Sequence, residues 1–169
     1  MVVVLASLGL WAFQPWRLVT SSELDEAAPV SQPVATAPSS ATADTTRTTT
    51  PSPSPQDRVL ATGKFEDAEH ATSGGVRLIE LADGRRFVRL EGLASSDGPD
   101  LHVWLSDRPS GGEWGSYDDG RYVALGKLKA THGNQNYAVP ADADLGGMVS
   151  AVIWCDRFDV AFGTAPVAA

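Results

Sequence analysis

The residues able to do chemistry in this chain are few, and one is alone of its kind. Cys155, in the stretch AVIWCDRFDVAFG at 151–163, is the only cysteine among 169 residues. A disulfide within the chain, a CxxC pair, a Cys/His zinc spacing and a c-type haem motif are therefore all ruled out. A lone thiol has three readings: a small buried hydrophobe, a bridge to another molecule, or a reactive group. The thiolate is the reactive form, and local charge and burial set its share. If a strand runs on regularly through Cys155-Asp156-Arg157, Arg157 shares a face with Cys155 while Asp156 points away. The Arg157 guanidinium would then favour the thiolate, making Arg157 a candidate partner of Cys155. A bulge at that point would reverse the assignment.

Other chemistries find little support. His70, His102 and His132 are far apart, and no pair has the i, i+4 spacing of a helical metal site. No metal ligands are assigned, and no cofactor is required by the sequence. There is no nucleophile–base pair, phosphate-binding glycine loop or pair of carboxylates in a recognisable context, so no substrate is assigned. The formal net charge of −8 argues against binding a phosphate backbone, which relies on clustered Lys and Arg. The same surplus keeps an exposed protein soluble.

Short apolar runs separated by Gly, Asp and Asn must position these residues. From Asp57 to about Val167 no helical period persists. The predicted strands are RVLATGKFE, GVRLIEL, RRFVRLEGL, DLHVWLS, RYVALGKL, NYAVP, MVSAVIWC and RFDVAFG. Ala82-Asp83-Gly84-Arg85 supplies the positive φ of a tight hairpin turn between two of them. About eight short strands at this spacing predict an all-β fold, an antiparallel sandwich or a small barrel.

Alternation assigns faces. In DLHVWLS, Leu101, Val103 and Leu105 form a core face, leaving His102 and Trp104 outward as candidate ligand-binding residues. In VSAVIWC both faces are apolar, so this strand is expected to be central and covered on both sides. The Gly-rich stretch GGEWGSYDDG, residues 111–120, reads as a hairpin tip or an adaptable binding loop. Its carboxylates, Glu113, Asp118 and Asp119, lack the spacing of an EF-hand calcium loop.

Residues 1–16, MVVVLASLGLWAFQPW, form an apolar run shorter than the roughly 20 residues of a spanning helix. Trp11, Trp16 and Arg17 resemble an interfacial belt at the end of a span. We read the run as a signal-anchor helix whose N-terminal part is missing, with a cleaved signal peptide as the alternative. Residues 17–56 read as a Pro/Ser/Thr-rich disordered linker that holds residues 57–167 away from a membrane. The expected location is the cell membrane, single-pass, with the β domain extracytoplasmic; secretion is the alternative.

Four stretches, GKFEDAEHATSGGVRL, GLASSDGPDLHVWLS, LGKLKATHGNQNYAVP and VIWCDRFDVAFGTAP, together resemble the DM-thirteen domain, a predicted electron-transfer module. The resemblance rests on the order and spacing of Ser73-Gly74, Gly98-Pro99-Asp100-Leu101, Gly133-Asn134-Gln135-Asn136-Tyr137, Ile153-Trp154-Cys155 and Phe158 with Phe162-Gly163. It covers residues 60–167 and implies an extracytoplasmic β-rich module with Cys155 as the redox group. The apolar N-terminus followed by a polar stalk is similar to the layout of membrane-anchored bacterial members. A lone thiol needs a counterpart: a disulfide on another redox or cell-surface protein, or haem or a metal held with His102 or His70. Two functions compete at this stage. One is a membrane-tethered redox module using Cys155; the other is a non-catalytic ligand- or protein-binding module displayed on a stalk.

Overall fold

Alternating apolar residues and glycine-bearing turns build ten strands into the computed structural model, which describes residues 21–31 and 56–167. In chain order they are β1 (Glu23–Asp25), β2 (Arg58–Lys64), β3 (Glu66–Asp67), β4 (Ser73–Glu80) and β5 (Arg86–Ala94). These are followed by β6 (Leu101–Ser106), β7 (Tyr122–Lys127), β8 (His132–Ala138), β9 (Ser150–Cys155) and β10 (Val160–Pro166). Two five-stranded sheets result, in the orders β1-β8-β5-β4-β2 and β3-β10-β9-β6-β7. Each has two edges, so of the two architectures expected it is the sandwich that forms and not the closed barrel. All pairings are antiparallel except β1 with β8.

The eight predicted strands correspond to β2 and β4–β10. The Asp83-Gly84 turn joins β4 to β5: Gly84 takes φ +84° and the Leu81 N–H donates to the Arg85 carbonyl at 2.8 Å. One core fills the space between the sheets. Val76 and Leu78 of β4 and Val88 and Leu90 of β5 meet Val103 and Leu105 of β6 and Ile153 of β9. Each is at most 2 % exposed, and burial of such a side chain is worth about 1.5–3 kcal/mol. As expected, β9 is the middle strand of its sheet and is buried on both faces.

One boundary differs from expectation. Residues 21–31, assigned to the linker, are part of the fold. β1 runs parallel to β8, Ser22 N–H donates to Thr131 Oγ1 at 3.0 Å, and Thr131 N–H returns a bond to Ser22 Oγ at 3.1 Å. Glu26 accepts Lys129 Nζ at 2.8 Å and the Asn136 N–H at 2.6 Å. Gly133 makes this docking possible. Its φ is +99°, and a Cβ there would stand 2.1 Å from the Leu24 carbonyl oxygen. Gly133→Ala is therefore expected to detach β1 at a cost of about 1–3 kcal/mol. Hydrogen exchange would check it through lost protection at residues 22–26 with β4 and β5 unchanged; full protection at Leu24 would refute it. The apolar run at 1–16 and linker residues 32–55 lie outside the described residues. Among the described residues no helix is long and apolar enough to cross a membrane.

Candidate functional site

Cys155 is the last residue of β9, opposite Leu101 of β6 and Val160 of β10. Its side chain faces the shared core and is fully buried. Beyond it the strand stops: residues 156–159 form an exposed turn, closed by the Phe158 N–H donating to the Cys155 carbonyl at 3.2 Å. Asp159 takes φ +51° there, a conformation that Asp accepts more readily than most residues. The regular continuation that would have set Arg157 beside the thiol does not occur. Arg157 is carried out to solvent, and only its backbone amide acts on the sulfur. Burial pushes the Cys155 thiol up from its ordinary value, and the backbone amides of Phe158, Arg157 and Asp100 oppose that without reversing it. The expected thiolate-favouring setting is thus replaced by a covered thiol on which burial outweighs the neighbouring backbone amides.

His102 is on the other face of the same sheet, opposite Trp154 in register. An alternating strand turns adjacent residues to opposite faces, so the structure does not bring His102 and Cys155 together. His70 packs its ring on Phe162 at 4.0 Å. What gathers around His102 instead are carboxylates. Its Nε2 lies 3.1 Å from Asp100 Oδ1 and 3.4 Å from Asp156 Oδ2. Asp100 stands two residues before it, and the Asp156 N–H donates to the Asp100 carbonyl at 3.0 Å, which fixes the ends of the two strands together. Lys127 Nζ reaches Asp100 Oδ1 at 2.7 Å and holds that carboxyl below its usual range. This convergence depends on the β6–β9 register. Spacing within one segment does not reveal it, although the Asp-x-His pair at 100–102 was a partial signal.

Trp104 is not the outward contact residue that alternation suggested. It is 4 % exposed and belongs to a second, smaller core with Tyr117, Val152, Trp154 and Ala161. The 107–121 connection folds back over this face. Tyr117 is its buried anchor, with the hydroxyl donating to the Pro109 carbonyl at 3.0 Å and accepting the Gly112 N–H at 3.2 Å. Trp104 stacks on Trp154 at 4.8 Å and on Tyr122 at 4.0 Å. The stretch 111–120 thus roofs a core instead of standing free as a hairpin tip.

A family model described as electron transfer DM13 matches residues 64–167. The chain belongs to the DM13 family. The match begins at the last residue of β2 and ends just after β10, so the DM13 domain takes in Cys155, the Asp100–His102–Asp156 group, the second core and all of the main core but Ala61 and the adjoining Leu60. β1 lies outside it. No curated protein and no solved structure matches the chain. Inside the DM13 domain the Gly133–Tyr137 motif is structural. Gln135 is fully buried; its Nε2 donates to the Ala130 carbonyl at 2.7 Å, and its Oε1 accepts the Ala130 N–H at 3.2 Å and the Tyr137 hydroxyl at 2.7 Å. Asn134 Oδ1 accepts the Gly92 N–H at 2.8 Å, and Asn136 Oδ1 accepts Arg89 Nη1 at 2.9 Å. At the Gly98-Pro99-Asp100 turn it is Asp97 that caps the Gly98 N–H, at 2.9 Å. Asp100 turns its carboxylate to Lys127 and His102.

Proposed function

We propose that this DM13 domain is a membrane-tethered, extracytoplasmic electron-transfer module in which Cys155 is the redox group. The observation that carries the reading is the setting of the sulfur: the chain's one thiol ends the central strand beneath a single exposed turn, whose backbone amides work against the effect of burial on it. Amides so placed stabilise the anionic sulfur formed during thiol–disulfide exchange. Shielding by the turn limits side reactions with small oxidants. Exposed aromatics near this turn support a protein as counterpart. Phe158 in the turn is 56 % exposed and Trp114 is 48 % exposed. The 113–115 backbone runs beside the turn, with the Ala161 N–H donating to the Trp114 carbonyl at 2.9 Å. Aromatic side chains of this kind anchor protein contacts. The apolar segment at 1–16 supplies the tether in this reading.

The test uses glutathione disulfide as the probe, with intact mass as the readout. We expect slow formation of a mixed disulfide at Cys155 in the folded protein, at least tenfold faster after Phe158→Gly loosens the turn, and none in Cys155→Ser. In cells, Cys155→Ser is expected to abolish redox activity while the melting temperature stays within a few degrees. A folded protein that stays unmodified in both forms, with a wild-type phenotype for Cys155→Ser, would overturn the reading.

A further inference from the structure

The His102 ring and the Asp100 and Asp156 carboxylates take no part in the thiol–disulfide exchange, and His102 is on the opposite face of the sheet from Cys155. We propose that this group binds one divalent first-row transition ion through His102 Nε2 and one oxygen each of Asp100 and Asp156. The ligand atoms all lie within 4.8 Å of one another. Two donors about 2.1 Å from a common ion stand roughly 3.0–3.4 Å apart at octahedral to tetrahedral angles. The separations of His102 Nε2 from the two carboxylate oxygens, 3.1 and 3.4 Å, fall in that range. A small rotation of Asp156, whose side chain is 43 % exposed, brings the remaining pair closer.

A hydrogen bond alone accounts for the arrangement less well. A ring nitrogen carries at most one proton and donates it in one direction, yet two carboxylates converge on this one. A cation shared by all three takes one donor atom from each and sets them at the separations seen. The ligands are also held rather than floppy. Asp100 and His102 share one face of a strand end, and the backbone bond between Asp156 and Asp100 fixes the third. The His102 side chain is only 17 % exposed, so its ring is already ordered. A route in exists, since the Asp100 and Asp156 side chains are both partly open to solvent. Three protein donors leave positions for water. One imidazole among carboxylates selects copper or zinc over magnesium or calcium.

Lys127 is the competitor. Its ammonium occupies Asp100, is 75 % exposed in its side chain, and swings away when the ion enters. This gives the proposal a further readout: removing a positive side chain that pairs with one ligand, without being a ligand itself, tightens the site.

The experiment is calorimetric titration of the full chain with Zn²⁺ alone, paired with Cu²⁺ electron paramagnetic resonance. The expected result is a site of one equivalent that excess Mg²⁺ does not displace, with coupling to a single imidazole nitrogen. His102→Ala and Asp156→Asn should each weaken it at least tenfold, and Lys127→Met should strengthen it several-fold. Cys155→Ser should leave it unchanged, which separates this site from the redox reading; either can fail alone. Circular dichroism confirms folding, and Asp156→Asn, a near-isosteric change at an exposed turn, keeps the test valid if His102→Ala is damaged. Undiminished affinity in both ligand variants, or a copper spectrum without nitrogen coupling, would overturn the proposal.

Discussion

Trp154→Ala is expected to lower the stability of the folded domain by about 3–5 kcal/mol, read as a fall in the urea midpoint at unchanged slope. Trp154 is 1 % exposed on the middle strand, so no edge is available for its neighbours to collapse into. It also supports Trp104, which in turn stacks on the half-exposed Tyr122. Truncation removes the floor of that stack as well as the area the ring buries. Trp154→Phe keeps an aromatic face and should cost less than half as much. A loss below about 1 kcal/mol for the alanine variant would mean that the second core contributes little beyond the main one.

The second large effect belongs to Gln135 and Tyr137. Gln135→Leu fills a similar volume but strips partners from the Ala130 N–H, the Ala130 carbonyl and the Tyr137 hydroxyl. A buried group left without a partner costs about 1–3 kcal/mol, so the substitution should cost about 3 kcal/mol or more. Tyr137 adds a dependence on pH. Burial pushes its phenol up to about 12, with the Lys129 N–H bond opposing and Glu26 adding to the rise. The unfolded chain releases this proton near pH 10 while the native state retains it, so the unfolded state binds fewer protons in that window. Stability is therefore full below about pH 10 and falls by roughly 2 kcal/mol as pH approaches 12. Tyr137→Phe should flatten that limb of the stability–pH curve. An identical alkaline slope in the variant would assign the loss to other groups.

The fold was legible where period and turn chemistry agreed. Leu101, Val103 and Leu105 alternate with polar or aromatic neighbours, so β6 declared its core face, and the two apolar faces of 151–155 announced a middle strand. Three features were not legible because they arise between segments. β1 is the tripeptide Glu-Leu-Asp, whose pairing depends on the gap at Gly133 and on bonds from Ser22 and Glu26 to β8 and its approach. Trp104 looked outward because alternation names a face without naming what lies over it, and Tyr117 arrives from a long connection. Asp100, His102 and Asp156 meet only through the register of β6 on β9. Arg157 failed as a thiol partner for a local reason, since the chain turns directly after Cys155.

The docking of β1 along β8 also decides how this domain tolerates being cut. With β1 in place, the outer rim of β8 has its amides and carbonyls bonded over residues 132–134 and again at Asn136. A fragment starting at the family match, residue 64, or at residue 57 would leave that rim bare, and an uncovered strand is a template for any extended peptide, including a neighbouring molecule. Such fragments are expected to self-associate through the bare rim, whereas fragments starting before residue 21 carry their own cover.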